Sequence, residues 1–360
     1  MGRRDIKVGS NKKRNIIIIS SIALLIIILI AILVFKVSKD KANKNIQQEP
    51  ENQIVEENKV EEPVAEEKKI NIYNGDERPI AVMIDNHKGA WPQAGLNKAY
   101  MVYEIIVEGG ETRLMPVFKG QKLSEIGPVR SSRHYFLDYA LENDAIYVHY
   151  GWSPQAKRDI SSLGVNNING ITYGKSQFWR VTTKAAPHNV LTSTSSILSI
   201  AKNKGYSTNS TSSSILNYVS EDVNLENGIN ASTITIPYST LHKAQYKYDT
   251  KTQRYIRYAR GTIQKDYSTK ETITTKNIII EFVENSSLND GTKKGRQTIS
   301  NIGTYKGYYI TNGKAIKINC TKSTRKAKTV YRDLSGNIIN VNDGNTWVNI
   351  CPKDAKVKIE

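Results

Sequence analysis

Apolar and polar positions divide the chain into four kinds of sequence. Residues 16–35 are apolar or small throughout, and no charge interrupts them. In helical geometry such a run spans about 30 Å, the thickness of a bilayer's hydrocarbon core, and it predicts a transmembrane helix. Residues 40–69 are rich in Glu, Asn, Gln and Lys and lack any aromatic side chain. Burial of so little apolar surface does not offset ordering entropy, so residues 36–72 are expected to be a disordered stalk. From residue 73 onward, short apolar runs punctuated by turn residues predict a folded part large enough for two domains. The Ser/Thr/Asn cluster at 207–214 marks the change between them, giving expected domains at 73–220 and 230–360.

The first domain reads as mixed α/β. A buried strand is expected at 79–85, and strands at 100–107 and 113–118 form a hairpin around Gly109-Gly110. A helix is expected over 132–141 with Ser131 or Ser132 as N-cap, and a strand over 145–150. Ser153-Pro154 starts a helix that ends near Gly164, with the hydroxyl at N-cap and Pro at N1. A further helix covers 195–203, stopped by Gly205. The second domain reads as nearly all β. Strands at 244–248 and 255–258 alternate, 277–283 is buried, and short runs follow at 308–310, 315–318, 330–332 and 347–350. The expected fold class is α+β: a transmembrane helix, a stalk, an α/β domain and a β-rich domain resembling a sandwich or open barrel.

Charge adds orientation. Arg3, Arg4, Lys7, Lys12, Lys13 and Arg14 precede the apolar run, and Lys36, Lys39, Lys41 and Lys44 follow it. The excess on the N-terminal side keeps residues 1–15 in the cytoplasm as a basic tail and sends the bulk of the chain outside. A cleaved signal peptide would have a shorter core and a small-x-small site, which Val34-Phe35-Lys36-Val37 does not offer. No Cys stands directly after the run to accept a lipid. The whole chain carries a net charge of +17, and residues 241–332 alone hold 20 basic against 6 acidic side chains. Such a field attracts polyanions, and outside a cell a wall polymer is a more natural partner than nucleic acid. The alternative is a lysine-rich surface that serves only solubility. Cys320 and Cys351 are the two cysteines, a disulfide or two thiols.

Four constellations could carry chemistry. With Gly109-Gly110 as a two-residue loop, Glu104, Glu108, Glu111 and Arg113 share one strand face. Glu108 and Glu111 then lie opposite each other and need a cation, a shared proton or solvent. A raised carboxyl pKa would suit Glu104 or Glu108 as general acid; the alternative is a face of merely solvated charges. Second, Gly127-Pro128-Val129-Arg130-Ser131-Ser132-Arg133-His134 places two arginines at a helix start, which favours an anion. That anion could equally be Glu104 or Glu108 of the same chain. Third, Val148-His149-Tyr150-Gly151-Trp152-Ser153-Pro154 runs from strand end to helix start, where α/β sites gather; His149 could move protons and Trp152 could stack on a ring. Fourth, Arg180 with His188 and Asn189 adds a cation and an imidazole. Gly-x-Ser-x-Gly, the phosphate-binding Gly-x-x-x-x-Gly-Lys, His-Glu-x-x-His and Cys-x-x-Cys are all missing, so no cofactor and no metal are expected.

These segments resemble the YerB-like family of bacterial cell-envelope proteins. The resemblance rests on Arg78-Pro79-Ile80-Ala81-Val82-Met83-Ile84-Asp85-Asn86, Val102-Tyr103-Glu104, Glu108-Gly109-Gly110, Ile126-Gly127-Pro128-Val129-Arg130-Ser131 and Pro187-His188-Asn189. In the second half it continues through Gly307-Tyr308-Tyr309, Asp333, Gly336, Gly344 and Thr346-Trp347. It covers residues 75–355 and implies two domains held at the outer face of the cytoplasmic membrane, with no established reaction to carry over. The chain departs from the family in using a transmembrane anchor where lipidation is common, and in Glu111, where an apolar residue is expected. The expected function is a membrane-anchored binder of an anionic or sugar-containing envelope ligand or of a membrane protein partner. The alternative is a cell-wall glycan-cleaving enzyme with Glu104 or Glu108 as general acid.

Overall fold

A run of strands with every position buried builds the centre of the molecule. The structure, a computed structural model, describes residues 69–360. The basic tail, the predicted span at 16–35 and the stalk through residue 68 lie outside the described residues. Among the described residues no helix is long and apolar enough to cross a membrane.

The main sheet contains 13 strands. From inside one edge to the other edge it runs through Gly303–Thr311, Asn277–Ser287, Thr346–Pro352, Met101–Ile106, Thr112–Phe118, Ile80–Val82, Ile146–His149 and, at the edge, Asn167–Asn169. Thr346–Pro352 lies parallel to Met101–Ile106, with Thr346 opposite Met101 and Ile350 opposite Ile105. On its other edge it lies parallel to Asn277–Ser287. The last long strand of the chain is thus inserted beside the first half's hairpin, and one sheet runs through both sequence halves. Parallel pairing of this kind requires both sheet faces to be covered, and all seven residues of Thr346–Pro352 are buried.

Each face has its own cover. One face presents Val102, Ile106, Leu114, Ile278, Ile280 and Trp347 to a six-stranded sheet that brings Ile234, Ile236, Ala244, Tyr246 and Tyr255. The other presents Tyr103, Ile105, Met115, Val117, Ile279 and Val348 to the helix Phe136–Glu142 through Phe136, Leu137, Tyr139 and Ala140. Helices Pro154–Ser162 and Thr194–Asn203 complete the first half. Mostly β with few helices, the chain is α+β. Its β-rich second half divides its strands between the main sheet and the covering sheet, apart from Asn340–Asn342, which pairs with Asn217–Val219.

Local signals place most elements. Ser153 accepts from the Ala156 N–H and Pro154 occupies the first turn, so that helix starts where the sequence predicts. Ser193 caps the Thr194–Asn203 helix in the same way. The helix expected from 132 begins four residues later, at Phe136. Ser132 is taken up elsewhere: its N–H donates to Gly151 O and its hydroxyl accepts from Tyr147. Gly127 allows a close approach that shapes the site below. A Cβ there would stand 2.7 Å from Val190 O, and its φ of +150° suits glycine. Cys320 and Cys351 are both buried and free, so the disulfide alternative does not hold.

The shared strand predicts one cooperative unit. Trp347→Ala removes a fully buried indole and is expected to cost about 3–5 kcal/mol. Hydrogen exchange should then accelerate together in Met101–Ile106 and Asn277–Ser287. Loosening confined to the second half would show that the two halves are not joined as described.

Candidate functional site

The 101–118 hairpin differs from expectation by one residue, and the difference decides the site. Glu108–Gly110 forms a three-residue 3-10 turn with Gly109 and Gly110 both at φ of 70°, closed by Val107 N–H donating to Glu111 O. Glu104 therefore faces Leu114, and Arg113 faces Ile105. A slip of one residue moves a side chain to the opposite face. Glu104 and Arg113, expected side by side, sit on opposite faces of the sheet. Glu108 and Glu111 do not repel across a hairpin either, because each has its own arginine: Arg113 and Arg133 for Glu108, Arg260 for Glu111.

Glu104 faces the covering sheet and is fully buried. Its Oε1 accepts from His242 Nε2 at 2.8 Å, Thr112 Oγ1 at 2.8 Å and Asn86 Nδ2 at 3.1 Å, and its Oε2 accepts from Arg257. A ring of side chains closes around it. Arg257 donates to Gln264, Gln264 to Gln93 at 2.7 Å, Gln93 to Asn86 at 2.9 Å, and Asn86 back to Glu104. The Arg257 guanidinium lies 4.1 Å from the centre of the Trp347 ring, a cation–π contact in a dry environment. Burial drives the Glu104 carboxyl up, but Arg257 and His242 override it and hold it at about 2. Such a group has no proton to deliver at neutral pH.

The opposite face carries a second cluster. Asp85 lies opposite Arg113 in the sheet. The segment through Gly127 lies alongside, with Asp85 N–H donating to Pro128 O and Arg130 N–H to Met83 O. Asp85 Oδ1 accepts from the His87 N–H at 3.0 Å. Its Oδ2 lies 2.6 Å from His188 Nδ1 and 2.9 Å from Arg130 Nε, the latter close in charge without hydrogen-bond alignment. Glu108 is held between Arg113 and Arg133; burial raises its pKa, and the two arginines bring it down to about 2. Burial, reinforced by neighbouring Arg133, lowers the Arg113 guanidinium to about 10. Three arginines thus meet two carboxylates. The terminal nitrogens of Arg113 and Arg133 are engaged by Glu108, Ser131 O and Ser132 O. Those of Arg130 have no partner among the described residues, and its side chain is 24% exposed.

The remaining sequence-predicted residues fall around this cluster in different roles. Arg180 donates to Asn189 at 2.6 Å and lies 5.6 Å from the Tyr150 ring centre, and Asn189 donates onward to Val181 O and Lys184 O. His149 is buried, bonded to Gly151 O and Asn167, and burial lowers its pKa to about 4. Ser153 is the helix cap. Trp152 is 37% exposed on the segment paired with Ser132. Asp85, His87, His242 and Arg257 went unrecognised in the sequence. Asp85-Asn86-His87 carries a local signal, polar residues closing an apolar strand. His242 and Arg257 carry none, since they join Glu104 across 138 and 153 residues.

The chain matches two models of one family, the protein of unknown function (DUF3048) N-terminal domain over residues 64–207 and its C-terminal domain over residues 234–348. It is 32% identical over 288 residues to the Bacillus subtilis (strain 168) protein YerB, whose name describes it as a candidate lipoprotein. That alignment covers 77% of this chain and 82% of the relative. The crystal structure of YerB protein from Bacillus subtilis superposes with a TM-score of 0.70 at 30% identity, covering 79% of this chain and 94% of that one.

The buried carboxylates predict opposite pH dependences. Glu104 has a folded pKa of about 2 against an ordinary 4.5. It therefore stabilises the fold above pH 4.5, and that stability is lost as pH falls towards 2. Glu104→Gln leaves Arg257 buried without its charge partner and is expected to cost about 3–5 kcal/mol near neutral pH. Glu281, raised by burial to about 7, favours the fold below pH 4.5 and loses that contribution as pH rises through 7. Urea denaturation from pH 4 to 8 should show the natural chain losing stability relative to Glu281→Gln as pH rises, because only the natural chain must ionise Glu281. An unchanged slope in Glu281→Gln would contradict the assignment.

Proposed function

The chain belongs to the two-domain family of proteins of unknown function (DUF3048) that includes YerB, and on that premise we propose that it is a membrane-anchored extracytoplasmic protein that binds an anionic ligand of the cell envelope. The observation that carries the reading is Arg130. Its neighbours Arg113 and Arg133 are consumed by Glu108, whereas its own terminal nitrogens are unpaired among the described residues and reach solvent. A guanidinium fork anchored from behind and open in front suits a phosphate or carboxylate. Trp152, exposed on the adjoining segment, offers a ring face to a sugar. The excess of basic side chains over residues 241–332 would raise the local concentration of a polyanion. The location rests on the apolar run at 16–35 and on a relative whose name describes it as a candidate lipoprotein.

The alternative, glycan cleavage with Glu104 or Glu108 as general acid, draws no support from the geometry. Both carboxyls are held at about 2 by arginine, Glu104 is sealed between two sheets, and a general acid needs its proton near the working pH.

The test is a titration of the full-length chain in detergent with glycerol-phosphate teichoic acid, and with a neutral glycan of similar length as control. Binding should weaken with salt. Arg130→Ala should weaken it roughly 10- to 100-fold, the equivalent of one charge-assisted hydrogen-bonded contact. Equal affinity for the neutral glycan, or undiminished affinity in Arg130→Ala, would remove the reading.

A further inference from the structure

The charged clusters around Glu104 and around Asp85 end differently. Around Glu104 the polar groups close on one another in a ring. Around Asp85 they stop at an open edge, which a purely structural ion pair does not require. His188 Nδ1 lies 2.6 Å from Asp85 Oδ2. A buried carboxylate so placed takes the Nδ1 proton as its donor and leaves the lone pair on Nε2. His188 Nε2 makes no hydrogen bond among the described residues, and it is not among the buried unpartnered atoms, so it meets solvent. The His87 ring stacks on His188 at 4.3 Å and 15°. His87 Nδ1 accepts from the Gly89 N–H at 3.1 Å, which makes His87 the opposite tautomer; it packs His188 in place without competing for Asp85. A Cβ on Gly89 would come within 3.2 Å of His188 Cδ2, so the ring is braced from that side too. Arg130 shares the same Asp85 oxygen, which puts an open guanidinium and an open imidazole nitrogen beside each other.

We propose that Asp85 and His188 form a proton-transfer dyad which, with Arg130, hydrolyses a phosphodiester. This deepens the anion-binding reading of the same site and rests on it. Arg130 holds the non-bridging oxygens. His188 Nε2 takes a proton from water as the water oxygen bonds to phosphorus and the bond from phosphorus to the leaving oxygen breaks. The imidazolium then returns the proton to that oxygen. One phosphodiester and one water give one phosphomonoester and one alcohol, with no change of oxidation state. His188 is the catalytic residue; Asp85 is a positioning residue acting through it.

The probe is bis(4-nitrophenyl) phosphate with the full-length chain in detergent, followed by nitrophenolate release, alongside teichoic acid binding on the same preparation. His188→Gln is expected to lower kcat at least ~100-fold, the usual share of a positioned acid–base group. Added imidazole should restore part of the rate in His188→Ala, which a misfolded protein would not show. Asp85→Asn should lower kcat, because an amide no longer fixes the Nδ1–H tautomer of the imidazole, and Asp85→Glu should restore part of the loss. Turnover absent in the natural chain, or equal in His188→Gln, overturns the dyad. If teichoic acid is still bound in that case, the dyad falls alone. His188-dependent turnover without polymer binding would sustain the dyad and overturn the polymer as ligand.

Discussion

The fold depends on a carboxylate that has nowhere to go. Glu104 sits in the middle of the main sheet, on the face that a second sheet covers. A buried charge is tolerated only when paired and hydrogen-bonded. Asn86 and Thr112 donate from the first half, but the counter-charge and its support come from the second: Arg257 from the covering sheet, His242 from the turn just before one of its strands, and Trp347, under the guanidinium, from the strand inserted beside Glu104. The same contact that neutralises Glu104 therefore locks the two sequence halves into one body. Neither half contains both the charge and its answer.

The open cluster follows from the closed one. Fixing Glu104 towards the covering sheet sends Arg113 to the opposite face, where it joins Asp85, Arg130, Arg133 and Glu108. Gly127 then matters for chemistry as well as packing, since its close approach to Val190 brings the Arg130 segment against Met83 and Asp85. The backbone delivers Arg130 and His188 to one carboxylate from positions 58 residues apart. A site built this way sits on strands and short braced loops, which suits positioned side chains better than a mobile loop would.

Two family models match the two halves separately, at 64–207 and 234–348, while the sheet crosses from one to the other. Sequence similarity follows runs of chain; sheets follow hydrogen bonds, and a strand can complete a neighbour's sheet from far away in sequence. The distance between Glu104 and its counter-charges reflects the same separation.

Much of the element plan was legible in the sequence by itself. Apolar runs marked the strands, Ser153-Pro154 marked a helix start, and the Arg130–Arg133 segment and His188 stood out as candidate chemistry because their residue types are local facts. The run at 16–35 likewise declares its own hydrophobicity. Tertiary structure decided the rest. Whether the hairpin loop at Gly109-Gly110 holds two residues or three is a matter of turn geometry and packing, and that one residue chose the face on which Glu104 lies. With the face came its partners, its burial and its ionised state, so that a candidate general acid of the alternative reading sits as a paired, buried carboxylate. Which arginine would be answered and which left open could not be read from spacing, because it depends on which carboxylates the folded sheet brings within reach.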